Sequence, residues 1–213
     1  MKFGNEIYLL YAVTDHVMEG EALFIEKIEE ALSAGVTLLQ LREKNMETKA
    51  FLEEALIVRE LTNRYGVPLI INDNVDIAIQ CNADGVHVGQ DDLSPSVVRS
   101  RIGENRILGV TVKTVQQAQK AWEAGADYLG VGAVFPSLTK KEAIPVTMDQ
   151  LSEICRSVPL PVTAIGGITG ENVSSLKGTG IAGAAVVSGI FRQKEISSAV
   201  HSLKKQLQKV VMV

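Results

Sequence analysis

The chain has 213 residues, 46% hydrophobic and 22% charged, with a formal net charge of −4. That composition excludes a disordered chain and suits one domain with a sizeable core. The acidic balance offers no bulk attraction to nucleic acid, and no apolar run nears the ~20 residues of a membrane helix, so small molecules are the expected partners and the cytoplasm the expected location.

Strand-like and helix-like segments then alternate to the end. Residues 8–15 form a short apolar run ending in Thr14-Asp15, which reads as a strand rather than a signal peptide. Residues 21–34 carry Leu23, Ile25, Ile28, Ala31 and Leu32 at helical spacing, and Gly35 stops them. A strand at 36–42, a helix at 49–65, a strand at 67–72, a short helix at 75–81 and a strand at 85–89 follow. Ser94-Pro95 supplies an N-cap and a first-turn proline for the next helix. The remaining expectations are strands at 107–112, 128–134, 161–165 and 184–187, with helices at 114–124, 147–156, 171–177 and 196–210. Cys81 and Cys155 have no metal spacing and read as reduced thiols.

The strands are continuous apolar runs, such as LIIN and VTAI, which belongs to a parallel sheet covered on both faces. Eight strand–helix units, with no Gly-rich turn after the first strand, favour closure over an open sheet. The expected architecture is a single (β/α)8 TIM barrel over residues 1–213, with the active site at the C-terminal strand ends. A homo-oligomer stays open.

The residues that follow each apolar run therefore matter most. After the second strand, Gln40, Arg42 and Lys44 alternate, which places them on one face if the strand continues. They read either as an anion cradle or as a solvated turn. After the third and fourth strands come Asn72-Asp73 and Gln90-Asp91-Asp92. Asp73 and Asp92 would face each other across neighbouring strands, either as a Mg2+ pair shared with substrate phosphates or as helix caps. After the sixth strand, 135–141 offers Ser137, Thr139, Lys140 and Lys141, a phosphate-closing loop or a plain exposed one. After the seventh and eighth strands, Gly166-Gly167 and Val187-Ser188-Gly189 occupy the recurring phosphate position of this fold, although both could be simple helix-start turns. Two anion sites beside a carboxylate pair suggest two phosphorylated substrates, one of them a diphosphate with Mg2+.

These residues resemble the thiamine-phosphate synthase family across nearly the whole chain. The motifs are QLREK at 40–44, IND at 71–73, ADGVHVGQDD at 83–92, GADYLGVGAVFPSLTK at 125–140, AIGGI at 164–168 and VVSGI at 186–190. The resemblance implies that a hydroxymethylpyrimidine diphosphate is joined to hydroxyethyl-methylthiazole phosphate, or its carboxylated form, releasing diphosphate. It implies that Gln40, Arg42, Lys44, Asn72 and Thr111 bind the pyrimidine diphosphate and that Asp73 and Asp92 ligate Mg2+. Ser137, Thr139 and Lys140 would meet diphosphate and thiazole ligands, and Gly167, Val187 and Ser188 the thiazole phosphate. Arg42, Lys44, Lys140 and Thr111 are the implied catalytic set. A dissociative loss of diphosphate needs leaving-group stabilisation and water exclusion rather than a nucleophilic triad.

Thr111 and Lys113 stand where many family members carry serine and histidine. The histidine's absence argues against the related thiazole tautomerase, the alternative enzyme reading. A non-catalytic sensor of phosphorylated precursors is the alternative outside enzymes, and a sugar-phosphate isomerase would want a Glu or Lys base that is not evident. Of the three histidines, His87 reads as a hydrogen-bonded barrel residue, His201 as surface, and His16 as nearest the mouth.

Overall fold

Short apolar strands that cannot leave an edge open in water close on themselves. A computed structural model of the chain, describing residues 4–15, 21–136 and 145–211, shows the result as a closed parallel barrel in chain order. The strands are β1 (Leu10–Val13), β2 (Leu38–Leu41), β3 (Leu69–Asn72), β4 (Gly85–Val88), β5 (Ile107–Val112), β6 (Tyr128–Gly132), β7 (Val162–Ile165) and β8 (Gly183–Val186). The helices are α1 (Glu21–Ser33), α2 (Thr48–Tyr65), α3 (Val75–Gln80), α4 (Pro95–Ile102), α5 (Val115–Glu123), α6 (Met148–Ser157), α7 (Ser188–Phe191) and α8 (Ile196–Val211).

Several boundaries differ from the sequence expectation. Tyr8 belongs to a 3-10 turn, Asn5–Tyr8, because its ring is needed inside the barrel floor. The segment read as a helix at 171–177 is a 3-10 turn, Val173–Leu176, closed off by Gly178 and Gly180 at φ 83° and 87°. Ser94 occupies the N-cap of α4 without a side-chain cap bond, so Pro95 alone marks that start. The four-residue α7 went unseen because so short a segment shows no periodicity.

Two cores hold the barrel. The outer one packs strand residues such as Leu39, Ile71 and Val110 against helix residues such as Ile28, Val58 and Leu203. The inner one fills the barrel itself with Tyr8, Tyr11, Leu38, Ile70, Ile107 and Tyr128. Gly109 makes room for that filling. Its strand register faces Tyr128, and a Cβ there would lie 2.2 Å from the Tyr128 Cζ.

At the N-terminal face, aspartates clamp neighbouring strands. Asp84 accepts from the Leu69 N–H (2.9 Å) and pairs with Arg59; Asp127 accepts from the Leu108 N–H (2.7 Å) and pairs with Arg99 (2.5 Å). Arg99 also donates to the carbonyls of Gly103, Arg106 and Gly125, and its side chain is only 12% exposed. Removing it strands a half-buried carboxylate and three carbonyls. Arg99→Ala is expected to lose about 3 kcal/mol in urea unfolding with kcat unchanged at a permissive temperature, since the clamp lies opposite the mouth. An unchanged urea midpoint would contradict this.

Candidate active site

The C-terminal strand ends converge on a cavity that opens to solvent. Gln40, Arg42, Asn72, Thr111, Gly167, Val187 and Ser188 all line it. From β2, Gln40 is buried and donates from Nε2 to the Tyr11 hydroxyl (2.5 Å). Arg42 follows on the same inward side, its N–H held by Thr14 Oγ1 at 2.9 Å. The strand stops at Leu41, so Lys44 reaches its place through a bend rather than by strand alternation. It stands at the rim and pairs with Asp73.

Between β3 and β4 the carboxylates do meet. Asp73 sits at φ 61°, a left-handed conformation uncommon outside glycine and most accessible to Asp and Asn, and its carboxyl hydrogen-bonds that of Asp92. Capping does not occupy Asp73, because Asn74 caps α3 through the Ile77 N–H. Asp92 accepts from the Gly89 N–H at 2.7 Å. Burial raises the Asp73 carboxyl against the pull of Lys44, and Asp92 adds to the rise. Burial would raise Asp92 too, but the Asp73 hydrogen bond, the Gly89 N–H and Lys44 outweigh it and hold Asp92 below the usual range. Beside this pair, Asn72 is 8% exposed and its Nδ2 has no partner among the described residues.

β5 contributes Thr111, whose hydroxyl meets His87 Nε2 at 2.8 Å and whose carbonyl accepts from Gln90 at 2.7 Å. Lys113 also lines the cavity and brings a second cation to it beside Arg42's. Ser137, Thr139 and Lys140, and with them His16, lie outside the described residues.

The β7 and β8 ends form a glycine cradle. Gly166 and Gly167 lie at φ 99° and 66°, and a Cβ on Gly167 would sit 2.4 Å from the Pro136 carbonyl oxygen. Asn172, which sequence reading missed, pins the loop by donating to the Gly167 carbonyl (2.8 Å) and accepting from the Thr169 N–H (2.9 Å). Val187 precedes α7, so Ser188 and Gly189 bring first-turn N–H groups to the same place. Arg192 beyond α7 pairs with the buried Asp15 of β1's end at 2.7 Å, a contact 177 residues apart that no sequence pattern announces.

Glu43 stands between these groups. Burial pushes its carboxyl up to about 7, with Arg42 opposing and Asp15 adding to the rise. The unfolded chain ionises there near 4.5, so the folded form binds the proton more tightly between 4.5 and about 7. Stability from this group is therefore fullest below that window and declines as pH rises through it. Glu43→Gln, with no charge to bury, is expected to gain melting temperature relative to the parent as pH rises from about 4.5 to about 7, and to hold that gain unchanged above it; a difference independent of pH across that window would refute the assignment.

A family model described as thiamine monophosphate synthase matches residues 10–190. A curated thiamine-phosphate synthase of Alkaliphilus oremlandii is 48% identical over 210 residues, covering 98% of this chain and 100% of the relative. Another, of Ruminiclostridium cellulolyticum, is 49% identical over 196 residues, covering 92% and 93%. Among solved structures, a thiamine phosphate pyrophosphorylase from Pyrococcus furiosus superimposes with TM-score 0.89 at 35% identity, covering 97% of this chain and 98% of that one.

Proposed function

The chain belongs to the thiamine monophosphate synthase family and is a transferase of that family, and on that premise we propose how its mouth carries out the reaction. A hydroxymethylpyrimidine diphosphate lies against Gln40, Arg42, Lys44, Asn72 and Thr111. A hydroxyethyl-methylthiazole phosphate seats its phosphate on Gly167, Val187 and Ser188. The observation that carries this reading is the convergence of Gln40, Arg42, Asn72, Thr111, Gly167, Val187 and Ser188 on one cavity, with the Lys44–Asp73 pair and Asp92 beside Asn72.

The C–O bond to the pyrimidine methylene breaks first, its electron pair leaving with diphosphate. Arg42 and Lys44 offset the charge that develops on that group. The aminopyrimidine shares the positive charge left on the methylene, and the neutral thiazole nitrogen donates its lone pair to form the C–N bond. No proton is abstracted in this sequence of bond changes. Lys140, Ser137 and Thr139 of the 135–141 segment would complete the anion contacts.

Asp73 and Asp92 supply the two carboxylates that Mg2+ takes when substrate phosphates and water provide its other ligands, and bound there it would neutralise the leaving diphosphate. The donor set fits: all-oxygen, on adjacent strand ends, with no cluster of three or more His, Cys, Asp or Glu among the described residues to suggest a transition metal. No helix among the described residues is long and apolar enough to cross a membrane.

The direct test mixes both phosphate esters with Mg2+ and reads thiamine phosphate by oxidation to fluorescent thiochrome. Product that vanishes with EDTA is the expected result. A folded sample that makes none would sink the reading and leave a precursor-binding barrel in its place.

A further inference from the structure

Gln40 and Thr111 stand on strands that are not neighbours, yet a continuous line of hydrogen bonds joins them through the barrel interior. Gln40 Nε2 donates to the Tyr11 hydroxyl (2.5 Å), which meets the Tyr128 hydroxyl at 2.7 Å. The Tyr128 hydroxyl meets His87 Nδ1 at 2.8 Å, and His87 Nε2 meets Thr111 Oγ1 at 2.8 Å. Both tyrosines are buried, and Gly109, whose register neighbours are His87 and Tyr128, leaves the space in which those two touch. The two ends line the cavity.

Such a line has a direction. An amide nitrogen only donates, and each hydroxyl has one proton to give. With Gln40 donating, Tyr11 gives its proton to Tyr128 and Tyr128 gives its own to His87 Nδ1, which must be bare. The neutral imidazole then carries its proton on Nε2 and donates it to Thr111. Thr111's hydroxyl proton is thereby left for the cavity, while Gln40 Oε1 is left to accept. Turning the Gln40 amide by half a revolution reverses every link and exchanges donor for acceptor at both ends.

We infer that Tyr11, Tyr128 and His87 are positioning residues that lock the hydrogen-bonding polarity of Gln40 to that of Thr111. The mouth is thereby set for a heterocycle offering a donor at Gln40 and an acceptor at Thr111, as the amino group and ring nitrogen of an aminopyrimidine do. This last step rests on the proposed placement of the pyrimidine. A ring with a carbonyl oxygen in place of the amino group would require all four links to reverse together, so selectivity belongs to the chain rather than to Gln40 alone.

Nitrogen NMR of the His87 ring, assigned by its disappearance in His87→Gln, tests the lock without any turnover. The parent should hold the proton on Nε2. Gln40→Glu in mildly alkaline buffer, ionised beside Arg42, can only accept and should move the proton to Nδ1. The same tautomer in both proteins overturns the inference, whatever their activity. Should that variant not fold, the parent tautomer still decides, since a proton on Nδ1 there is incompatible with a donating Gln40. A kinetic readout follows. Tyr128→Phe, or Tyr11→Phe if it folds better, should cut the kcat/KM preference for the amino over the oxo pyrimidine diphosphate by about tenfold, with KM for the thiazole phosphate unchanged. Lower melting temperature with the preference intact would mean packing alone, and would overturn the selectivity claim. A shifted tautomer with neither ester turned over would instead count against the proposed function and leave the lock standing.

Discussion

Asp92→Ala is expected to lower kcat on the order of 10³-fold and to abolish the dependence on Mg2+, while the protein stays folded. The carboxylate holds three things at once: the Gly89 N–H, the hydrogen bond with Asp73, and the negative charge that faces Lys44. The loss of the first is a local matter at an exposed turn and costs about 1 kcal/mol. The loss of the charge is not local, because Asp73 alone, raised by burial and already paired with Lys44, is a poor single ligand for a divalent ion. Asp92→Asn separates the two effects. It keeps an oxygen for the Gly89 N–H and removes the charge, so it should fold like the parent yet fail like the alanine variant. The measurement is initial rate against Mg2+ concentration, with urea unfolding of each variant alongside. Retained Mg2+-dependent turnover in either variant would remove this pair from the metal-binding role.

The barrel was legible because its physics is one-dimensional. Continuous apolar runs such as LIIN and VTAI suit a parallel sheet covered on both faces, and helical spacing fills most of the gaps between them, though the segment between β7 and β8 is a 3-10 turn. What faced the mouth was legible where strand alternation persists, as at Gln40 and Arg42, and less so one step on. Lys44 arrives by a bend after Leu41, so its alternation with Arg42 in sequence was not the reason it joins the site. The choice between metal pair and helix cap at Asp73 could not be made from sequence, since an aspartate serves in either place. The structure frees Asp73 by giving the cap to Asn74. Nothing in the sequence singles out Tyr11 and Tyr128. Their hydroxyls meet only once β1 and β6 sit across a closed barrel with Gly109 between His87 and Tyr128, a relation that no local window contains. The Asn172 brace of the Gly167 loop escaped for a milder reason: an asparagine five residues past a glycine is too common to read.

Gly167→Ala should raise KM for the thiazole phosphate on the order of 10²-fold, with a much smaller change in KM for the pyrimidine diphosphate. Two independent constraints converge on that position. Its φ of 66° is one that alanine adopts only with strain, and the added Cβ would fall 2.4 Å from the Pro136 oxygen and 2.8 Å from the Phe135 Cβ. The neighbouring backbone has to move away, and the segment that moves joins the end of β6 to the 135–141 loop. Asn172 holds the Gly167 carbonyl from the other side, so the loop cannot relax by swinging outward without breaking that bond. The cradle therefore loses its approach to the phosphate, while the Gln40, Arg42 and Asn72 side of the mouth, on β2 and β3, is untouched. Gly178→Ala serves as the control: it shares a positive φ of 83° but has open space around its Cβ, so it should cost some stability and leave both KM values alone. If Gly167→Ala raised the two KM values equally, the mouth would not divide into a pyrimidine side and a thiazole side, and the assignment of the β7–β8 cradle to the monophosphate would fall.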